Sequence, residues 1–500
     1  MRALCALNHI SPITKNKDVV LKFEHEIEIF IRDYVKDLNE GTASIFAGAG
    51  LSIPAGFVNW SELMQEIAHD LGLVIDREND LVSLAQFHVN ENRTRSKINR
   101  KIIEEFTENA EETLNHNIIA RLPISSVWTT NYDNLIEQAF AKENKVADVK
   151  HTNKQLLTNR PKRDVVVYKM HGDANHSSDA ILTKEDYEQY HQTHEPFIHA
   201  LSGELTTKTF LFVGFSFTDP NLDYVLSRLN FRFSKDKKQH YCLIKKHCLN
   251  DAQNPDQATL DYNSRKQQLV INDLKRYGIK SLVLDDYAQI TSILEEIEKR
   301  FKKKTIFISG SAEIYDPYEK NEALGFIHLL SKKIIEKNFR IVNGFGWGVG
   351  SSVINGSLEA ISANPMKFSE SQLILKPFPQ FESGKKKLPE LWEEYRQKMI
   401  SLSGISIFLF GNKRDGDAIV EANGLIREFE ISRDLGNICI PIGCTGYATE
   451  SILKLILAKP SDYYENSDVV VPLLETLLDS EKPLSEKVDA VIAVINEVIQ

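Results

Sequence analysis

The sequence predicts an α/β protein made of two doubly wound domains. Three observations carry this. Short β-rich runs alternate with amphipathic helical stretches along almost the whole chain, the pattern of a parallel sheet with helices on both faces. The apolar runs end repeatedly in glycine or small polar residues, as strands do where they feed tight turns into helices. The chain is 500 residues long, more than one typical core holds, so the alternation divides between two sheets.

Taken in order, "ASIFAG", "SSVWTT", "DVVVYKMHG", "TFLFVGFS", "QHYCLIKK" and "KSLVLDD" read as strands, with "WSELMQEIAHDLG" and "LDYNSRKQQLVINDLKRYG" among the intervening helices. The helix "ITSILEEIEKRFKKK" closes the first domain, placed at residues 22–303. A second alternation starts at once, over residues 304–500. "TIFISGSA", "FRIVNGFGWGVG", "SQLILKPFP", "GISIFLFGN" and "NICIPIG" are its strands. "NEALGFIHLLSKKIIEKN", "SSVINGSLEAIS", "PELWEEYRQKMISLS" and "AIVEANGLIREFEISRDLG" are its helices, and the tail from Ser451 is helical. In such sheets ligands sit beyond the C-terminal strand ends, where the glycine turns lie.

Composition narrows the function classes. Hydrophobic residues make up 42% and charged residues 26%, ordinary for a soluble globular protein. No run of about 18 apolar residues suggests a membrane span. The first 21 residues lack an apolar core and a cleavage site, so they read as a loose tail and not a signal peptide. A net charge of −10 argues against nucleic acid as a partner. Five cysteines, an odd and sparse set, suit a reducing cytoplasm. They form no C-x-x-C pair, and the 14 histidines show no ligand spacing, so no metal is expected.

The first strand runs into "FAGAGLSIPAG". Gly48 and Gly50 allow close backbone approach, and the following amides can face phosphate oxygens. Ile53 stands where the dinucleotide fingerprint needs its third glycine, so this is not an ordinary dehydrogenase loop. A lone glycine turn is weak evidence. Three further strand ends add to it: "TTNYD" with Asn131 and Asp133, "KMHGD" with His171, and "GFSFTDPNLD" with Gly214, Ser216 and Asp219. Asn-x-Asp is usually a helix cap and a lone histidine usually structural. Four polar or glycine-rich ends in one sheet are harder to reduce to caps.

In this order, "GAGLS", "TTNYD", "KMHG" and "GFSFTDPN" resemble the sirtuin family. The resemblance covers residues 22 to 290 and implies that NAD is the substrate. By it, Asn131 contacts the nicotinamide ribose and positions water, and His171 is the catalytic base. Ala47, Gly48, Gly50, Ser52, Asp133, Gly214, Ser216 and Asp219 bind the nucleotide. The D-F-R segment and the cysteine zinc module of deacylating sirtuins are absent, so cleavage of NAD to water is favoured over acyl transfer or ADP-ribosyl transfer. A non-catalytic nucleotide sensor is the alternative from another class, and Asn131 with His171 counts against it.

The second half resembles the SLOG family, relatives of the Lonely Guy phosphoribohydrolases. The matching elements are S-G-S at Ser309 and Gly310, G-x-G at Gly344 and Gly346, and G-x-x-x-E-F ending in Glu428 and Phe429. The P-G-G-x-G-T catalytic motif of the Lonely Guy enzymes is missing from "LFGNKRDGD", which points to sensing and not catalysis. A sirtuin-like half followed by a SLOG half resembles the Thoeris antiphage effector family. That resemblance implies a homotetrameric NAD hydrolase. It would be activated by a cyclic ADP-ribose isomer made by a TIR-domain partner enzyme. Ser309, Gly310, Gly344, Gly346, Arg396, Lys413 and Glu428 would bind this signal, with the two cations suited to its phosphates.

Overall fold

A computed structural model describes residues 23–107, 110–233, 236–249, 251–382, 384 and 386–499. The N-terminal tail and Cys5 lie outside them. The chain divides into two compact units, Lys22–Glu298 and Lys299–Gln500, within helix Ala288–Lys302.

The first unit is built on a parallel seven-stranded sheet. Its strands are β1 (Ala43–Ala47), β2 (Ser126–Thr129), β3 (Ala147–Lys150), β4 (Val165–Lys169), β5 (Thr209–Val213), β6 (His240–Lys245) and β7 (Ile279–Leu284). Across the sheet their order is β3-β4-β2-β1-β5-β6-β7. Every residue of β1, β2 and β5 is buried, as a central strand covered on both faces requires. Phe46, Trp128, Phe210 and Phe212 belong to one core cluster with Phe197 and Leu201. Strand β3 is absent from the elements expected of the sequence. It is a short edge strand, "ADVK", whose four residues are too few for their alternation to stand out. The chain moves from β1 to one side of the sheet and from β5 to the other, so the crevice between their C-terminal ends is the topological switch point.

The glycine loop departs from the simple strand, turn and helix order expected of it. A single helical turn, Ala49–Ser52, follows β1 directly. Helix α1 (Trp60–Asp70) begins later, where Asn59 and Glu62 form a reciprocal cap at 2.8 and 3.0 Å.

The second unit holds a parallel five-stranded sheet. Its strands are β8 (Thr305–Ser311), β9 (Arg340–Asn343), β10 (Leu373–Leu375), β11 (Ile405–Phe410) and β14 (Ile438–Pro441), in the order β10-β9-β8-β11-β14. Helices α2 (Lys320–Glu336), α3 (Gly350–Ala363), α4 (Leu388–Ile400) and α5 (Asn423–Asp434) connect them. One sequence expectation is corrected here. The sequence pattern places "AIVE" at the start of α5, but it forms β13 (Ala418–Glu421), antiparallel to β12 (Asn412–Asp415). Asp415-Gly416-Asp417 makes the hairpin turn, with Gly416 at φ +60°. Asn412 anchors the hairpin: its Oδ1 accepts from the backbone of Glu313 (2.8 Å) and Ile314 (3.1 Å). Among the described residues, no helix is long and apolar enough to cross a membrane.

Candidate functional site

The register of the first sheet brings the polar strand ends to one level. Ala47 pairs with Thr129 on one side and Val213 on the other, and Thr129 is in register with Lys169. Asn131 and His171 therefore each lie two residues beyond a paired position on adjacent strands.

Gly48, Gly50 and Gly214 are explained by one another. A Cβ on Gly48 would lie 2.4 Å from the Gly214 carbonyl oxygen, and one on Gly214 (φ +64°) would lie 2.4 Å from the Leu51 nitrogen. Two loops cross here with no room for a side chain. The amides of Gly48 and Gly50 donate to the carbonyls of Val213 and Gly214, both at 2.9 Å. These two amides therefore serve loop-to-loop packing, and the close approach that the glycines allow is that of one backbone to another.

Asn131 is buried, and its Nδ2 donates to Gly48 O at 3.1 Å and to Ser52 Oγ at 3.0 Å. Its own amide donates to Thr129 Oγ1 at 3.0 Å. Asn131 is thus fixed to the glycine loop through both hydrogens of its carboxamide. Ala47 closes β1 immediately before the crossing. Asp133 accepts from Leu135 N at 3.1 Å, a capping contact, while its buried Oδ2 has no hydrogen-bond partner among the described residues.

The structure pairs His171 with Asp219. The imidazole Nε2 lies 3.0 Å from Asp219 Oδ2, with side chains 4% and 8% exposed, though the angle falls outside hydrogen-bond geometry. Burial penalises the Asp219 carboxylate, yet His171 and the amides of Leu222 and Asn221 outweigh it and hold its pKa below the usual value. Asp219 Oδ1 also accepts from Leu222 N at 2.8 Å, capping the helix Pro220–Phe233. The carboxylate thus lies at ion-pair distance from one edge of the imidazole. By the family resemblance Asp219 is a nucleotide contact; its partnership with His171, 48 positions away, has no local signal. Ser216 is exposed nearby and hydrogen-bonded to Thr218 Oγ1 at 2.8 Å. A cavity of about 480 Å³ in this unit, lined by His151, Asn153, Asp179 and His194, includes neither Asn131 nor His171.

In the second unit, all seven residues singled out from the sequence line one cavity of about 250 Å³. The glycines again permit backbones to meet, since a Cβ on Gly346 would fall 1.9 Å from the Gly310 carbonyl oxygen. Glu428 is buried, accepts from Ser309 Oγ at 2.6 Å and lies 3.4 Å from Arg396 Nε. Burial raises its pKa, opposed by Ser309 and Arg396. The Arg396 guanidinium lies 5.2 Å from the centre of the Phe378 ring. Lys413 reaches the cavity from the β12–β13 hairpin. Phe378 and Met399, which belong to none of the sequence motifs, supply apolar walls.

Comparison with known proteins finds two family profiles along the chain. A SIR2-like domain profile matches residues 125–266. That span includes Asn131, His171 and Asp219. The profile of the Sir2- and TIR-associating SLOG family matches residues 289–498. The chain is 49% identical to the NAD(+) hydrolase ThsA of Bacillus cereus (strain MSX-D12), over 92% of this chain and 96% of that protein. It is 42% identical to the NAD(+) hydrolase ThsA of Acinetobacter baumannii (strain 532279), over 95% and 98%. A match at 24% identity to Defense-associated sirtuin 2 of Bacillus subtilis covers 43% of this chain and 22% of that protein. With near full-length identity at this level, the chain belongs to the ThsA family.

Proposed function

We propose that this chain is an NAD+ glycohydrolase. Its sirtuin-like domain, residues 22–303, cleaves NAD+ to nicotinamide and ADP-ribose. Its SLOG domain, residues 304–500, switches that activity on when it binds a cyclic ADP-ribose isomer from a TIR-domain partner. The outcome is depletion of NAD+ in the bacterial cytoplasm during antiphage defence, by a homotetramer. The ThsA relatives named NAD(+) hydrolase support the activity. The association of this SLOG family with TIR domains supports the source of the signal. The cavity built around Arg396, Lys413 and Glu428 suits a ligand carrying phosphates and hydroxyls.

The observation that carries the chemistry is the arrangement of Asn131 and His171. Both hydrogens of the Asn131 carboxamide are committed to Gly48 O and Ser52 Oγ, which leaves Oδ1 to accept from a water or a ribose hydroxyl. The positively charged nicotinamide departs with the electron pair of its bond to ribose C1′, becoming neutral. Water adds to C1′ of the oxocarbenium-like ribose, and its proton passes to His171. Asp219 Oδ2, 3.0 Å from Nε2, places a negative charge beside the imidazolium that results. Base assistance of this kind contributes about 10²–10⁴-fold.

The test is incubation with NAD+, with and without candidate cyclic ADP-ribose isomers. Nicotinamide and ADP-ribose should appear in equal amounts, and Asn131→Ala and His171→Ala should each abolish them with the fold intact by circular dichroism. Intact NAD+ under every condition, or wild-type turnover in both variants, would remove the assignment. Sedimentation analysis decides the tetramer.

A further inference from the structure

We propose that Lys169 is a positioning residue for this hydrolysis: a buried ammonium that ties the strand end bearing Asn131 to the strand end bearing His171. The proposal rests on the NAD+ hydrolase reading. Lys169 ends β4 and is fully buried. An unpaired ammonium there would be strongly destabilising. Instead Nζ donates to Tyr132 O at 3.0 Å, to Asp133 O at 2.6 Å and to Asp173 Oδ2 at 2.6 Å, and lies 3.2 Å from Glu137 Oε1. Burial works against its charge, but the carboxylates prevail and hold its pKa above the ordinary lysine value.

Tyr132 and Asp133 directly follow Asn131, and Asp173 lies two residues beyond His171. One ammonium thus bridges both loops. Two further contacts stitch the same seam: Ala174 N donates to Tyr132 O at 3.0 Å, and Tyr132 Oη donates to Ile181 O at 2.7 Å. Ile181 N in turn donates to His171 O at 2.9 Å. An apolar side chain of similar length would fill the space without desolvating a charge. Lys169 supplies what such a side chain lacks, a directional link between two loops whose relative placement sets the distance from water to base.

Two variants test this in the full chain. Lys169→Met removes the ammonium. Lys169→Met/Asp173→Asn also removes a carboxylate that the first change would leave unpaired, and the carboxamide oxygen it introduces still accepts from Asn175. Misplacement by about 1 Å can cost about 100-fold. In the folded variants kcat should therefore fall about 10- to 100-fold, with KM for NAD+ within about threefold of wild type. Hydrogen exchange should accelerate about tenfold at amides 130–135 and 171–175, with β1 and β5 unchanged. A purely structural lysine would lower the thermal transition and leave the turnover of folded enzyme alone. Wild-type kcat in the folded double variant, unchanged exchange at those loops, or failure of both variants to fold would overturn the proposal. If the wild type leaves NAD+ intact, the hydrolase reading falls, and the exchange pattern still decides whether Lys169 links the loops.

Discussion

Replacing Asp219 by Asn probes the His171 pair with little other disturbance. Asn keeps an oxygen where Asp219 Oδ1 now accepts from Leu222 N at 2.8 Å, so the cap of Pro220–Phe233 survives. What disappears is the charge 3.0 Å from His171 Nε2. Opposite charges at this range interact by a few kcal/mol at an effective dielectric constant of about 20. Losing the carboxylate beside the imidazolium that forms in the transition state lowers kcat by about 10²–10⁴-fold, or about 3–5 kcal/mol of barrier. The KM for NAD+ should change by less than about threefold, because the interaction acts on the transition state. The assay is steady-state release of nicotinamide by protein verified as folded. The same variant alters acid stability. The Asp219 pKa is depressed in the fold, so its contribution is complete above the unfolded value of about 3.9 and is lost as pH falls through the lower folded value. The stability gap between wild type and Asp219→Asn should therefore close below about pH 4. Unchanged kcat in the folded variant would refute the dyad.

Gly214→Ala should both strain a φ of +64° and drive a Cβ to 2.4 Å from Leu51 N, lowering stability by about 2–4 kcal/mol and abolishing turnover. Gly56→Ala, at φ +99° with nothing within 4 Å, carries the strain alone; equal thermal shifts in the two would remove the steric argument. Arg396→Ala or Glu428→Ala should eliminate activation by the cyclic nucleotide without altering the sirtuin-like site, and calorimetry showing normal effector binding in both would place the ligand elsewhere. Because burial raises the Glu428 pKa in the fold, its stabilising contribution is complete below about pH 4.3 and lost as pH rises through the folded value. Thermal transitions of Glu428→Gln between pH 4 and 8 should lack that decline, and parallel curves for wild type and variant would contradict it.

Much of this protein is legible from residues alone, for reasons that are local. Runs such as "ASIFA" and "ISIFLF" are apolar but for one small serine each because a central parallel strand is covered on both faces, and each declares itself without reference to its neighbours. Strand ends declare themselves too, since glycines and polar residues gather where backbone must turn. That suffices to single out Asn131 and His171, whereas Arg396 and Glu428, which lie on helices α4 and α5, are singled out by the family resemblance. The elements missed are those whose local pattern is ambiguous. "AIVE" suits a helix or a strand until the Asp-Gly turn before it is read as a hairpin, and "ADVK" is too short for its alternation to stand out.

Tertiary structure alone decided which of these residues serve one another. Gly48 and Gly214 are required by each other's backbones across 166 positions, His171 is paired with Asp219 across 48, and Ser309 with Glu428 across 119. Lys169 reads locally as an ordinary lysine at a strand end, yet it is buried among the carbonyls and carboxylates of two loops. The physical reason is the crossover topology of parallel sheets. Neighbouring strands are joined by long excursions, so adjacency depends on strand order, and strand order is set by the packing of whole faces and not by the period of any one segment.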